Sequence, residues 1–225
     1  MLEGNVGGGT GMVCNEFKGG TGTSSRRISV GARRYTVGVL VQCNYGRRAR
    51  LEVAGVPVGR EIPDLLPCKA PLADGTYGQP DRVAQPCGTP GKSGEEQGSI
   101  IVVIATDAPL LPSQLKRVAK RAALGIGRMG GIGDDSSGDI FLAFSTANAA
   151  AASDTGLVTA TFIPNNTINP VFEATVDATS EAILNAMLAA GTMTGADGYR
   201  VYALPHDRLM AALRKYGRSN DRDQD

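Results

Sequence analysis

The sequence predicts a layered α+β fold, in which strands pack against helices. Short segments rich in β-branched residues and bounded by glycine fill the first part of the chain. After residue 99, further strands alternate with segments of helical periodicity. Strands in blocks followed by helices in blocks favour layered packing over a doubly wound parallel sheet. With 225 residues, the chain is long enough to bury a full core, and we treat 1–225 as a single domain.

The first half contains the predicted strands and one long loop. Strands are predicted over residues 12–17, 27–30, 35–42 and 50–53, each of which is short, rich in β-branched residues and bounded by glycine. Between residues 61 and 98, six prolines and several glycines interrupt any regular pattern. That composition predicts a long surface loop.

The second half opens on a buried strand that begins at Ser99. Apolar residues at helical spacing between 115 and 123 predict an amphipathic helix lying on a sheet. Strands are predicted over 139–144, 157–162 and 199–203, and helices over 173–190 and 206–216, which end at Gly191 and Gly217.

Composition excludes several classes of partner. Hydrophobic residues make up 42% of the chain and charged residues 20%, and the formal net charge is +1. Because the chain offers no basic field, we expect no nucleic acid partner. No apolar run reaches the ~18 residues of a membrane span, so we expect no membrane partner. No signal peptide is visible after Met1.

The cysteines and the histidine do not predict a metal site. Four cysteines without a CxxC pair, together with one histidine, make a structural zinc site improbable. Cys68 and Cys87 flank one loop and could form a disulfide in an oxidising compartment. We favour free thiols, because a chain of this size folds without cross-links.

The junction between Gly98 and Ser99 is the strongest candidate for chemistry. Polar, glycine-rich residues 91–98 give way there to Ser-Ile-Ile-Val-Val-Ile-Ala-Thr, which places a serine at the start of a buried strand. Cleavage of the peptide bond before Ser99 would give this serine its own free α-amine, the minimal equipment of an N-terminal nucleophile. With a pKa of about 8, the amine could act as the base near neutral pH. A Ser-His-Asp triad would need His206, whose place at a helix start is more typical of a surface residue.

Two further motifs allow more than one interpretation. Ser137-Gly138-Asp139 precedes a strand, so Asp139 could cap a turn, or Ser137 and Asp139 could orient the amine of the nucleophile. Asn44 lies at a strand end, where it could be an ordinary turn residue or an oxyanion donor. The motifs alone do not choose between these alternatives.

The glycine-rich motifs do not predict a nucleotide site. Residues 88–93 end like a phosphate-binding loop, but Pro86 stands where the first glycine must fall. The glycines in 7–11 and 19–23 lack the strand, helix and acidic residue of a dinucleotide site, so turns or close backbone approach explain them better.

Most of the chain resembles one known family. The matching segments are residues 4–12, 17–26, 38–46, 55–60, 98–112, 137–148 and 195–199. Through them the sequence resembles the L-aminopeptidase/D-esterase and β-peptidyl aminopeptidase family, the DmpA-like self-processing serine hydrolases.

This resemblance implies a fold, an activity and a set of site residues. The implied fold is a four-layer αββα sandwich, similar to Ntn hydrolases but differently connected. The precursor would cleave itself before the nucleophile, giving an α part (1–98) and a β part (99–225). The resemblance implies that Ser99 is the nucleophile, that Asn44 is the oxyanion donor, and that Ser137 and Asp139 orient and stabilise the Ser99 amine. Such enzymes act on short peptides, amides or esters without a metal or cofactor, and they assemble as homo-oligomers of αβ units.

One departure from the family affects these expectations. Family members extend well upstream of the segment that matches Gly4, so we expect the α part of this chain to be truncated at its N-terminus. We expect a cytoplasmic protein, with a periplasmic location as the alternative because the native N-terminus is expected to be missing. The alternative functions are an acyltransferase of the ornithine acetyltransferase type, which uses threonine as its nucleophile, and an inactive remnant that acts only as an oligomeric module.

Overall fold

The computed structural model describes residues 1–77, 84–89, 98–154 and 156–218. The strands are β1 (Val13–Cys14), β2 (Phe17–Lys18), β3 (Gly20–Val30), β4 (Arg33–Asn44), β5 (Cys68–Lys69), β6 (Gln85–Pro86), β7 (Ser99–Thr106), β8 (Ile140–Ser145), β9 (Met193–Thr194) and β10 (Tyr199–Val201). The helices are α1 (Val58–Glu61), α2 (Pro112–Ala119), α3 (Ala122–Arg128), α4 (Asn169–Leu188) and α5 (His206–Lys215).

The main sheet has the strand order β3-β4-β7-β8. The β3–β4 and β4–β7 pairs are antiparallel, whereas β7 and β8 run parallel. A smaller sheet has the order β6-β5-β10-β9, and β1 and β2 form a separate two-stranded hairpin. The mixed sheet agrees with the expectation that the fold is not a doubly wound parallel one.

Helices cover one face of the main sheet. Helix α4 packs on β3 and β4, α3 packs on α4, and α2 contacts β8. Along β7, Ile100, Val102 and Ile104 are buried, whereas Ile101 between them is exposed. This period of two is the pattern of a strand with one face on the core. The α+β class predicted from the sequence is therefore confirmed.

The opposite face of the sheet is apolar and exposed. Ile101, Ile140, Leu142 and Phe144 each expose more than 40% of their surface there. The αββα arrangement requires a second sheet on such a face. Within the described ranges no element covers these four residues, so the four-layer order stays a prediction.

Two predicted strands are wrong. In place of a strand over 50–53, a 3-10 helix spans Arg48–Arg50, and Val53 and Val56 bond to each other across a tight turn. The apolar residues of this segment are buried, but they lie in a turn and not in a strand. Residues 157–162 lie outside any strand and are exposed, because the described part of the chain supplies no partner strand beside them. A β-branched pattern indicates burial or extension, but it does not supply a neighbouring strand.

Other predicted elements are present, but their bounds differ from the predicted ones. The predicted strand over 12–17 is two strands, because Asn15 and Glu16 both adopt positive φ and turn the chain back. Strand β3 begins at Gly20, earlier than the predicted residue 27, and the single helix predicted near 115–123 is divided into α2 and α3. The loop predicted over 61–98 contains the end of α1 and the short strands β5 and β6.

None of the described helices is both long and apolar enough to cross a membrane.

The contact between β3 and α4 depends on a glycine and can be tested. A Cβ added to Gly22 would lie 1.9 Å from the carbonyl oxygen of Ala182 and 2.6 Å from the backbone nitrogen of Ala186. We expect Gly22→Ala to lower the free energy of unfolding by about 1–3 kcal/mol through overpacking. In a chain of this length each kcal/mol shifts the thermal midpoint by about 2–4 °C.

Gly38→Ala is the matched control on the neighbouring strand. A Cβ there would meet nothing closer than 3.9 Å, so we expect its thermal midpoint to stay the same or rise slightly. Equal midpoints for the two variants would contradict the proposed packing of α4 on Gly22.

Candidate active site

Ser99 and Asn44 lie opposite each other at one end of the main sheet. Ser99 is the first residue of β7, and its Cα pairs with that of Asn44, the last residue of β4. Gly98 precedes Ser99 with a φ of +123°. A Cβ on Gly98 would lie 2.2 Å from the Asn44 carbonyl oxygen and 2.7 Å from Asn44 Nδ2. Only glycine fits this place, and the Asn44 amide lies directly beside it.

The segment before β8 contacts the same serine. The backbone N–H of Gly138 donates to Ser99 Oγ at 2.8 Å. Ser137 Oγ donates to Asp139 Oδ1 at 2.6 Å, and the N–H of Ile100 donates to the same carboxylate oxygen at 3.0 Å. Asp139 is therefore held against the residue that follows Ser99. The parallel pairing of β7 with β8 explains why these groups meet.

The side chain of Asn44 has a defined orientation. Its Oδ1 accepts a hydrogen bond of 2.9 Å from the backbone N–H of Val13. Because the amide oxygen faces this donor, the NH₂ group is turned the other way, toward Gly98. A side-chain NH₂ fixed beside a carbonyl carbon can donate to an oxyanion that forms there.

A disulfide lies next to this hydrogen bond. Cys14 follows Val13, Cys43 precedes Asn44, and the two cysteines are bonded to each other. Cys68 and Cys87 form a second disulfide. The expectation of free thiols is therefore wrong. Cys68 and Cys87 are brought together by the pairing of β5 with β6, whereas Cys14 and Cys43 meet because the β1–β2 hairpin packs against β4.

An ion pair connects the two loops that carry the candidate residues. Arg47, three residues after Asn44, contacts Asp134 with a nitrogen–oxygen distance of 2.6 Å. The carbonyl of Asp134 accepts the N–H of Ser137 at 2.8 Å. Both charged side chains are about one-third exposed, so the pair adds little to stability. Its geometric effect is to hold the turn that presents Ser137.

The remaining candidates lie apart from this cluster. His206 begins α5, and its Nε2 lies 3.0 Å from the carbonyl of Leu188. Gly9, Gly19 and Gly20 serve close backbone approach, because a Cβ on any of them would come within 2.6 Å of a neighbouring atom. Most of the phosphate-loop-like motif, residues 90–93, lies outside the described residues. The described ranges contain no group of three or more His, Cys, Asp or Glu side chains that could hold a metal ion.

Comparison with known families identifies the chain. The profile of peptidase family S58 matches residues 1–201. This chain belongs to peptidase family S58. Membership confirms the resemblance that the sequence motifs carry.

Similar proteins support the S58 assignment. The β-peptidyl aminopeptidase BapA of Sphingosinicella microcystinivorans is 52% identical over 219 residues, which are 97% of this chain and 53% of BapA. The PH0078 protein of Pyrococcus horikoshii OT3 superposes with a TM-score of 0.81 at 43% identity, covering 97% of this chain and 54% of that one.

A second solved structure describes the fold. The L-aminopeptidase D-Ala-esterase/amidase of Ochrobactrum anthropi superposes with a TM-score of 0.78 at 43% identity, covering 97% of this chain and 54% of that one. It is described as a prototype of the serine aminopeptidases and as a new variant among the Ntn hydrolase fold. The chain spans about half the length of these relatives.

Sequence reasoning did not predict several groups that surround Ser99 and Asn44 in this S58 chain. The backbone N–H of Val13 donates to Asn44, and that of Gly138 donates to Ser99. Because every residue except proline supplies such an N–H, residue type does not indicate these contacts. The ion pair between Arg47 and Asp134 joins positions 87 residues apart. No local signal distinguishes these residues.

Proposed function

We propose that this S58 chain is a self-processing serine aminopeptidase or amidase, with Ser99 as the N-terminal nucleophile. The observation that carries the proposal is that Asn44 and the Ser137–Asp139 segment both lie beside Ser99 at one end of the sheet. Serine rather than threonine at position 99 argues against acyl transfer of the ornithine acetyltransferase type. The hydrogen bonds that hold the Ser137–Asp139 segment against Ser99 and Ile100 argue against an inactive remnant.

The first proposed step is self-cleavage. Ser99 Oγ attacks the carbonyl carbon of Gly98, and the Gly98–Ser99 C–N bond breaks as an ester forms on Oγ. The oxygen proton moves to the departing nitrogen. Water then hydrolyses the ester, which leaves the Gly98 carboxylate and a free Ser99 α-amine. The nearby Asn44 amide supports this step, since an oxyanion donor lowers its barrier. The positive φ of Gly98 presents the bond in a backbone conformation that other residues rarely adopt.

The second proposed step is turnover of substrate. The neutral α-amine of Ser99 takes the Oγ proton while Oγ attacks the acyl carbon of a short peptide, amide or ester. Asn44 Nδ2 donates to the oxyanion, and the leaving group receives the proton from the amine. Water then releases the acyl group from Ser99. Asp139, with Ser137, would orient the amine and balance its charge when it is protonated.

Assembly and compartment are part of the same proposal. We propose that αβ units associate into a homo-oligomer and that no metal or cofactor takes part. The two disulfides favour the periplasmic alternative over the cytoplasmic expectation, because such bonds persist in oxidising compartments.

Self-cleavage is the first test. We expect intact-mass measurement after incubation to find two pieces, 1–98 and 99–225, because Ser99 supplies the attacking oxygen. Ser99→Ala removes that oxygen and should stay in one piece. Ser29→Ala, at an exposed serine of β3, is the matched control and should be cleaved like the unsubstituted chain. An unsubstituted chain that stays whole after prolonged incubation would rule out self-processing.

The pH dependence of turnover tests the identity of the base. Only the neutral amine accepts a proton, so we expect kcat/KM of the cleaved protein to fall as the pH drops through the amine pKa, ordinarily about 8. A chelator should leave the rate unchanged. A flat profile between pH 5 and 9, or loss of activity with EDTA, contradicts the proposal.

Asn44→Ala tests the oxyanion donor. We expect kcat to fall by about 10²–10³ with little change in KM, because the donor acts once charge has developed on the oxygen. Asn44→Asp should be as damaging, since it replaces the donor with a negative charge. Asn185→Ala, which removes a structural bond to the Thr23 carbonyl, is the control and should change the thermal midpoint but not kcat. Normal kcat in Asn44→Ala would assign Asn44 to the turn.

A further inference from the structure

Lys18 is a buried cation that the proposed reaction does not use. It lies in β2, directly across from Val13 of β1, and only 2% of its surface is exposed. Its Nζ donates to three backbone carbonyls, those of Met12, Gly19 at 3.2 Å and Gly9 at 3.4 Å. No carboxylate in the described part of the chain forms an ion pair with it. Burying an ammonium without a counter-charge is costly, so its presence here calls for a physical reason.

The ammonium is charged at neutral pH. Burial lowers the pKa of Lys18 to about 8, which is still above 7. Hydrogen bonds to three carbonyls favour the charged form. The group is therefore a fixed positive charge directed at backbone oxygens.

One of those oxygens belongs to the peptide unit that holds Asn44. The Met12 carbonyl and the Val13 N–H are the two ends of one planar peptide group. Lys18 Nζ donates to the Met12 carbonyl oxygen. The backbone N–H of Gly19 donates to the same oxygen at 3.1 Å. The N–H end donates to Asn44 Oδ1 at 2.9 Å. A rotation of this peptide at one end must therefore displace the other.

We propose that Lys18 is a positioning residue for the Asn44 amide, a proposal that rests on the proposed function of Asn44 as oxyanion donor. Lys18 fixes the plane of the Met12–Val13 peptide, so that its N–H stays directed at Asn44 Oδ1. Withdrawal of electron density from the Met12 carbonyl also makes that N–H a stronger donor. Asn44 is thereby held with its NH₂ group toward Gly98.

The test compares two buried lysines. With an aminoacyl p-nitroanilide as substrate at pH 7, we expect Lys18→Met to lower kcat at least about tenfold and to change KM less than about threefold. This loss is part of the ~10²–10³ effect of removing an oxyanion donor. Lys69→Met is the matched control. Lys69 is 7% exposed, but it lies in β5 of the small sheet, so this variant should change the thermal midpoint and leave kcat unchanged.

A double-mutant cycle separates positioning from general damage. If Lys18 acts through Asn44, Lys18→Met should lower kcat by less than about twofold in an Asn44→Ala background, because the two residues act as one unit. An equal loss of kcat in both backgrounds would overturn the proposal. So would an unchanged kcat in Lys18→Met alone.

A crystal structure of Lys18→Met gives a readout that needs no activity. We expect the Val13 nitrogen and Asn44 Oδ1 to separate beyond hydrogen-bond distance, whereas Lys69→Met keeps them bonded. An intact bond in Lys18→Met refutes the positioning role even if the protein proves not to be a hydrolase. An inactive parent chain with a displaced Asn44 in the variant would refute only the hydrolase.

Lys18→Arg covers the case in which Lys18→Met yields no folded protein. The planar guanidinium keeps the charge but does not reproduce the three-carbonyl contact of an ammonium. We expect kcat to fall about three- to tenfold, again with less than a twofold further loss in the Asn44→Ala background. Full kcat in Lys18→Arg, or an equal loss in both backgrounds, would overturn the proposal.

Discussion

The register between β4 and β7 determines which residues meet at the end of the sheet. The two strands pair from Val37 with Thr106 to Asn44 with Ser99, and alternate residues of both are buried under the helices. A slip of one residue would move every buried side chain to the exposed face. The hydrophobic core therefore fixes Ser99 opposite Asn44, although neither residue contributes to that core.

Two buried cations stiffen the hairpin that supports Asn44. Lys18 binds carbonyls on one side, while Arg48, 1% exposed, lies 3.2 Å from the centroid of the Phe17 ring. Arg48 also donates to the carbonyls of Asn15 and Glu16, the two residues that turn the chain at positive φ. Burial lowers the pKa of Arg48 to about 9, so it is still charged at neutral pH. Cation–carbonyl bonds thus stabilise a backbone shape that side-chain packing alone would not hold.

The sequence predicts the candidate residues better than their surroundings. Ser99 stands out because polarity changes abruptly there, whereas the choice between turn and site at Asn44 needed the family resemblance. The backbone donors of Val13 and Gly138 carry no residue signature. The segments 50–53 and 157–162 look like strands because periodicity reports burial or extension but not the presence of a partner strand. The Cys14–Cys43 bond depends on a hairpin folding against β4, a contact that spacing does not reveal.

Gly98 connects the two steps of the proposed chemistry. Before cleavage, its carbonyl carbon is the acyl centre attacked by Ser99, and the space for a Cβ is taken by the Asn44 carbonyl oxygen and Nδ2. After cleavage, departure of the Gly98 carboxylate would empty the place beside Asn44. A substrate acyl carbon must enter that same place to come within reach of Ser99 Oγ. One amide would therefore serve both reactions, and a change that turns the Asn44 side chain should slow maturation and turnover together.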